Sequence, residues 1–299
     1  MKSNRHNRPR TGETPQRRRA PRNVTQHHQR QPAPATRQLD TSWDEVAEWY
    51  DSLVDERGSD YQREVVIPGA LRLLGSVGNR RILDVACGQG VLCRELRRLG
   101  ARVTGIDASS ALIEQARRRE VPGKGSRIRY CVMDARALGE SAPESSAAEY
   151  GPPYDAACCV LSIQNIDPIA PVFAGVARVL GTGAEFVIVM LHPAFRAIGQ
   201  TSWGWDAESG RQFRRVDGYL TPYESAVRMR PGADPKLSTL TFHRPLQTYV
   251  QQLALAGLVV DGLQEWPSHR RSPPSPRAAE EDRARREIPM FLGLRAFKR

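Results

Sequence analysis

No apolar run in the chain reaches the roughly 18 residues needed to cross a bilayer; the stretch Glu185 to Leu191 is much too short, and the first residues lack the apolar stretch of a secretory leader. A cytoplasmic protein without a membrane partner is expected. Paired cysteines are lacking too. Cys87, Cys93, Cys131, Cys158 and Cys159 are odd in number and contain no CxxC pair with metal-ligand spacing, so they read as reduced, mostly buried thiols and no metal site is assigned. Basic charge is lacking where a nucleic-acid groove would need it. The formal charge is +11, but residues 1–40 hold ten Lys/Arg against Glu13 and Asp40, which leaves only +3 on the other 259 residues.

Residues 1–40 also contain almost no large apolar side chain, and so bury too little surface to offset the entropy of ordering. They are expected to form a disordered basic tail. A weak contact with nucleic acid is its functional reading, and a solvated extension its plainer one. From Thr41 the composition changes, and residues 41–299 are read as the folded domain. Trp43, Trp49 and Leu53 fall at helical spacing, with the tryptophans assigned to helix packing, and Ile67 to Leu74 continues as a second helix.

Arg81 to Gly90 reads as a buried strand running into a glycine turn. Ile82, Leu83 and Val85 are strand formers, Gly88 and Gly90 let backbone approach a ligand, and Val91 to Leu99 has helical apolar spacing. Arg102 to Asp107 and Arg127 to Asp134 are further strands, each ending on an acid, with a helix over Ala108 to Arg119 between them. Tyr154 to Ile163 and Ala184 to Leu191 follow, separated by a helix over Pro171 to Leu180. Strands apolar on both faces that alternate with helices imply a covered parallel sheet. His192 to Thr241 looks irregular and aromatic. Pro245 to Ala256 is a helix, Leu258 to Gln264 a strand, Pro267 to Arg286 a charged loop with a short helix, and Ile288 to Lys298 the last strand. The fold class expected is α/β: a doubly wound, mostly parallel seven-stranded sheet, Rossmann-like, with an antiparallel last strand and a substrate lid over residues 193–241 inserted after the fifth strand.

Asp84 lies inside the first strand and Asp107 nineteen residues after Gly88, where a carboxylate accepts the hydroxyls of a ribose; Asp134 lies where an adenine amino group would be read. This pattern, Asp84-Val85-Ala86-Cys87-Gly88-Gln89-Gly90 with Asp107 and Asp134, resembles the cofactor site of class I S-adenosylmethionine-dependent methyltransferases. The resemblance extends from about Trp43 to the C-terminus. It implies S-adenosyl-L-methionine as cofactor, held by Tyr50, Asp84, Ala86, Cys87, Gly88, Gly90, Asp107, Ala108, Met133, Asp134, Ala135 and Leu161. A nicotinamide-binding fold shares the acid after the second strand, but its G-x-G-x-x-G fingerprint needs glycine at the position of Cys93.

Three motifs bear on the acceptor. Gly151-Pro152-Pro153-Tyr154 superficially resembles the motif of amino-methylating nucleic-acid enzymes, but it precedes the fourth strand and lacks the polar first residue. Gln164 and Asn165 follow that strand and are candidates for orienting an acceptor; capping is the equal alternative for Asn165. The stretches around His192 to Arg196, Phe213 to Tyr219 and Phe242 to Pro245 are similar to bacterial methyltransferases related to the quinone-biosynthesis class. With Gln164, His192 and then His243 are the candidate catalytic groups, although a lone histidine is more often structural. Arg196, Trp203, Arg214, Arg215 and Tyr219 join Asn165 as candidate substrate contacts, Arg214 and Arg215 for a carboxylate. A small-molecule acceptor is expected; the alternative is a nucleic-acid-directed methyltransferase targeted by the basic tail.

Overall fold

The computed structural model describes residue 43 and residues 58–120, 128–140, 151–228 and 238–299. The expected tail and Tyr50 lie outside the described residues. Helix α1 (Ile67–Leu74) precedes strand β1 (Arg81–Val85), α2 (Val91–Arg98), β2 (Arg102–Asp107), α3 (Ser110–Arg118), β3 (Arg129–Val132), β4 (Tyr154–Val160), α4 (Ala170–Val179) and β5 (Leu180–Leu191). Strands β6 (Thr201–Asp206), β7 (Arg211–Val216), β8 (Tyr223–Arg228) and β9 (Ser238–His243) follow, then α5 (Leu246–Leu255), β10 (Leu258–Trp266), α6 (Ala278–Glu287) and β11 (Phe291–Lys298).

Seven strands form one sheet in the order β3-β2-β1-β4-β5-β11-β10. Strands β1 to β5 pair in parallel, and β11 runs antiparallel to both its neighbours, β5 and β10. The period of two along each strand builds the two faces. Leu83 and Val85 join Ala157, Phe186 and Ile188 in a cluster closed by Phe173 and Val176 of α4 and Leu253 of α5. Ile82 joins Ala156, Cys158, Val187 and Val189 in a second cluster under α1, α2 and α3, through Leu73, Leu96 and Ile113. A central strand with β2 on one side and β4 on the other has no solvent face, which is why β1 reads as a continuous apolar run.

Strand and helix ends shift by a few residues from the sequence reading, and two differences are larger. Strand β5 starts at Leu180, ahead of Ala184, because Gly183 adopts a φ of 76° and the ladder with β4 shifts register between Tyr154 and Ala156. The described residues of 192–241 are also far from irregular. Trp203, Trp205 and Phe213 alternate on a β6–β7 hairpin, and β8 pairs with β9 in a second one. The first hairpin turns on Asp206, whose carboxylate accepts from the Glu208 amide and the Ser209 hydroxyl, ahead of Gly210 at a φ of 64°. No helix among the described residues is long and apolar enough to cross a membrane.

Candidate active site

At the C-terminal ends of β1 to β4 lies a cavity of about 300 Å³. The chain leaves β1 towards β2 on one side, while β4 pairs on the other, so this is the topological switch point where open α/β sheets bind ligands. Of the three non-glycine residues with positive φ among the described residues, two line this cavity: Ala86 at 55°, after β1, and Leu161 at 58°, after β4. The left-handed region costs an L-residue roughly 1–2 kcal/mol, and such strain collects at functional sites. The two turns are tied together by Ser162, whose hydroxyl donates to the carbonyl of Ala86 at 2.9 Å.

The glycine turn is anchored from β2. Cys87 N–H donates to the Ile106 carbonyl at 2.9 Å, and Gly88 N–H donates to Asp107 Oδ2 at 2.8 Å. Asp107 Oδ1 also accepts from the Ser109 amide at 2.9 Å, and Ser109 in turn caps α3 by accepting from Leu112 N–H. A carboxylate accepts about four hydrogen bonds, so one residue can fasten the turn and also receive ligand hydroxyls at the cavity wall. Asp134 stands on the same wall and caps the turn over residues 135–137. Burial opposes its ionisation, but hydrogen bonds from the Arg136 side chain and backbone outweigh that and hold the carboxyl below the usual range. Arg136 also donates to the Asp167 carbonyl at 3.0 Å, which joins the ends of β3 and β4.

Ala86, Gly88, Asp107, Ala108, Met133, Asp134, Ala135, Leu161 and Asn165 all reach the cavity. Cys87 and Gly90 belong to the turn but not to its wall. A side chain on Gly90 would lie 2.4 Å from the Tyr130 hydroxyl, while the Cys87 and Cys93 sulfurs crowd against Gly105. Asp84 is also off the wall, because the strand alternation that places Ile82 under α2 places Asp84 there too. It is 2% exposed and accepts from the Cys93 thiol at 3.1 Å and the Cys158 thiol at 3.5 Å.

Burial raises the Asp84 pKa to about 7 against the opposing thiol hydrogen bonds. Burial likewise pushes Cys87 up to about 11 and holds Cys93 and Cys158 well above the ordinary thiol range. Because folding raises this carboxyl from 3.8, the unfolded chain gives up its proton first. Stability from this group is therefore fully present below 3.8 and is lost as pH rises to about 7. In thermal unfolding, the melting temperature of the wild type relative to Asp84→Asn should fall across that window and level off above it; a difference that does not change with pH contradicts the shift.

The wall also includes residues that sequence spacing did not single out. Trp43, assigned to helix packing, lies on it, with Ser59, Gln62, Arg136 and Ser162. Arg136 follows Asp134 by two residues and Ser162 directly follows a strained strand end, both of them local signals. Gln62 carries none, since only the fold brings the segment before α1 to the site.

The candidate catalytic groups cluster elsewhere. Gln164, His192 and His243, with the candidate substrate contact Arg196, line a second, smaller cavity on the other side of the turn after β4. His192 is 5% exposed; its Nδ1 accepts from the Ala194 amide at 3.2 Å, so Nε2 carries the proton and donates to Glu265 Oε1 at 2.7 Å. Burial lowers its pKa, with Glu265 acting in the opposite direction. His243 Nε2–H donates to the Tyr219 carbonyl at 2.8 Å, and its ring stacks on Tyr223. Among the candidate substrate contacts, Trp203 carries the Arg196 and Arg214 guanidinium groups, each 5.2 Å from the ring centre. Arg214 donates to the Phe195 carbonyl at 2.8 Å and to the Thr201 hydroxyl, Arg215 is exposed and pairs with Asp217 at 2.7 Å, and the Tyr219 hydroxyl accepts from Leu246 N–H. These last three act as fasteners of the hairpins.

Residues 82–183, from β1 to the start of β5, match the methyltransferase domain family. This segment is a methyltransferase domain. The domain is similar to ubiquinone biosynthesis O-methyltransferases. The Paracidovorax citrulli enzyme is 30% identical over 110 residues, 37% of this chain and 43% of that protein, and the Nitrosococcus oceani enzyme is 42% identical over 71 residues, 24% and 30%. The chain thus matches less than half the length of these relatives. Among solved structures, an S-adenosylmethionine-dependent methyltransferase from Mesorhizobium loti is 28% identical with a TM-score of 0.59, over 77% of this chain and 96% of that one. The Synechocystis magnesium protoporphyrin IX methyltransferase with bound S-adenosylhomocysteine shares the fold at 14% identity, with a TM-score of 0.53 over 86% and 96%.

The residues of the methyltransferase domain fit S-adenosylmethionine. A side chain on Gly88 would meet nothing within 4 Å, so the bare turn leaves open space at the cavity wall. Asp107 offers its carboxylate beside that space, Asp134 lies at the end of the next strand, and about 300 Å³ is at the lower end of the range for small-molecule pockets.

Proposed function

We propose that the chain is an enzyme that transfers a methyl group from S-adenosylmethionine to a small-molecule acceptor. The observation that carries this reading is the Asp107 carboxylate fastened to Gly88 N–H on the wall of the switch-point cavity, within a segment that matches methyltransferase domains. Bound S-adenosylmethionine supplies a methyl group on a cationic sulfur, open to in-line displacement. The protein's part is then positioning and exclusion of water. Asp107 receives the ribose hydroxyls, Asp134 with Arg136 faces the adenine end, and the Gly88 turn allows backbone to approach the methionine end. Ser162 and Asn165 lie on the β4 side, where they orient the acceptor.

No histidine lines the main cavity among the described residues. His192 and His243, with Nε2–H groups engaged by Glu265 and by a backbone carbonyl, are proposed to position the elements behind the acceptor. Gln164, whose Nε2 donates to the Leu161 carbonyl at 2.8 Å, braces the strained turn. Its Oε1 faces the second cavity in this reading. The similarity to ubiquinone biosynthesis O-methyltransferases supports an oxygen acceptor, and five cysteines left as thiols support a cytoplasmic location.

Tritium transfer from methyl-labelled cofactor into a fractionated cell extract tests the reading without a guess at the acceptor. Label is expected in the small-molecule fraction. Label confined to nucleic acid would support the alternative instead, and no transfer by a chain that binds the cofactor would remove the enzymatic reading.

A further inference from the structure

The second cavity, about 40 Å³, is flanked by polar atoms that the protein itself does not satisfy. Three of its lining residues each carry a buried atom with no hydrogen-bond partner: Gln164 Oε1, Arg196 Nε and Arg244 Nη1. Arg244 is only 6% exposed; its Nη2 donates to the Ile166 carbonyl at 2.7 Å and to Asp167 Oδ1 at 2.6 Å, which leaves Nη1 as the unmet donor. Arg196 makes no ion pair with any described acid. Burial, with Arg214 close by, pushes its pKa down to about 10. Leaving a buried polar group unmet is costly, and more so for a charged one. Three such atoms around one cavity point to a ligand that meets them.

Their chemistry specifies that ligand. Two guanidinium N–H groups ask for an anion, and an amide oxygen asks for a donor next to it. A buried water needs roughly 10–15 Å³ of such space, so the cavity holds a group of carboxylate size and not a whole ring. Its wall is shared with the cofactor cavity: Gln164 faces this side, and Ser162, Asn165 and Ile166 line the other.

We propose that this cavity binds the carboxylate of a hydroxy- or amino-substituted carboxylic acid, with Arg196 Nε and Arg244 Nη1 donating to the carboxylate and Gln164 Oε1 accepting from the neighbouring O–H or N–H. That this acid is the methyl acceptor rests on the methyltransferase reading; that the cavity binds it does not. The remainder of the molecule extends past the turn of residues 161–167 towards the cofactor. The carboxylate role thus passes from Arg214 and Arg215, which are spent on Phe195, Thr201 and Asp217, to Arg196 and Arg244.

The test is calorimetry on the full chain with S-adenosylhomocysteine added first, followed by 2-hydroxybenzoate, benzoate, 2-hydroxybenzamide or inorganic phosphate. The acid should bind at least about tenfold more tightly than its amide, and 2-hydroxybenzoate more tightly than benzoate. Arg196→Gln and Arg244→Lys should each weaken 2-hydroxybenzoate by about tenfold to a hundredfold, while Gln164→Leu removes the preference over benzoate. Arg196 is only partly buried, so Arg196→Gln serves if Arg244→Lys does not fold. Equal affinity for acid and amide, binding of phosphate alone, no saturable binding, or unchanged affinity in the variants overturns the proposal. The cofactor step separates the two readings: acid binding without S-adenosylhomocysteine binding sinks the methyltransferase reading alone, and the converse sinks this inference alone.

Discussion

Asp107→Ala should bind S-adenosylhomocysteine about a hundredfold more weakly than the wild type, read by calorimetry. The expectation rests on two losses from one side chain. Hydrogen bonds to a charged group contribute about 1.5–3 kcal/mol each, and the ribose hydroxyls lose their acceptor. At the same time Gly88 N–H and Ser109 N–H lose theirs, so the turn is no longer fastened to β2 by this side chain. Asp107→Asn is not a mild replacement. An amide has one oxygen, and whichever backbone N–H keeps it, the other then faces an NH₂. Both variants should therefore fall together, and an Asn variant within threefold of the wild type would remove Asp107 from the cofactor site.

The two glycines of the turn should fail in opposite ways. Gly90→Ala puts a methyl 2.4 Å from the Tyr130 hydroxyl and 2.9 Å from its ring, at a φ of 78°. Tyr130 is 5% exposed between α2 and the sheet and has little room to retreat. Overpacking costs about 1–3 kcal/mol and the left-handed backbone about 1–2 more, so the melting temperature should drop by roughly 5–15 °C. Gly88→Ala meets no protein atom within 4 Å. It pays only the backbone cost, but its methyl stands in the space the cofactor needs. Its melting temperature should fall by a few degrees only, while S-adenosylhomocysteine affinity falls by about tenfold or more. Equal losses of stability and binding in both variants would mean that the turn does not separate these roles.

The cofactor side was legible in the sequence because it is local. A strand buried on both faces, a glycine turn and acids at the ends of β2 and β3 each leave a signature within a few residues, and parallel pairing then brings those ends to one cavity. The acceptor side is not local. His192 stands after β5 like a general base, but Glu265, 73 residues later, takes its Nε2–H. Arg244 reaches Ile166 and Asp167 across almost eighty residues, and no spacing rule links them. Asp84 was legible as an acid and not in its direction: a residue inside a central strand faces a helix, and the thiols that receive it there come from α2 and β4. The hairpins of residues 201–243 escaped for a different reason. Their strands are six residues each and interleave aromatic with arginine side chains, so they resemble a surface loop in composition.

Each of these roles depends on the proposed S-adenosylmethionine site in the cavity at the ends of β1 to β4. Titration of the full wild-type chain with S-adenosylhomocysteine in a calorimeter tests it most directly. Saturable binding of one equivalent per chain is expected, and Gly88→Ala should weaken it without unfolding the protein; no saturable binding by a chain shown to be folded would rule the site out.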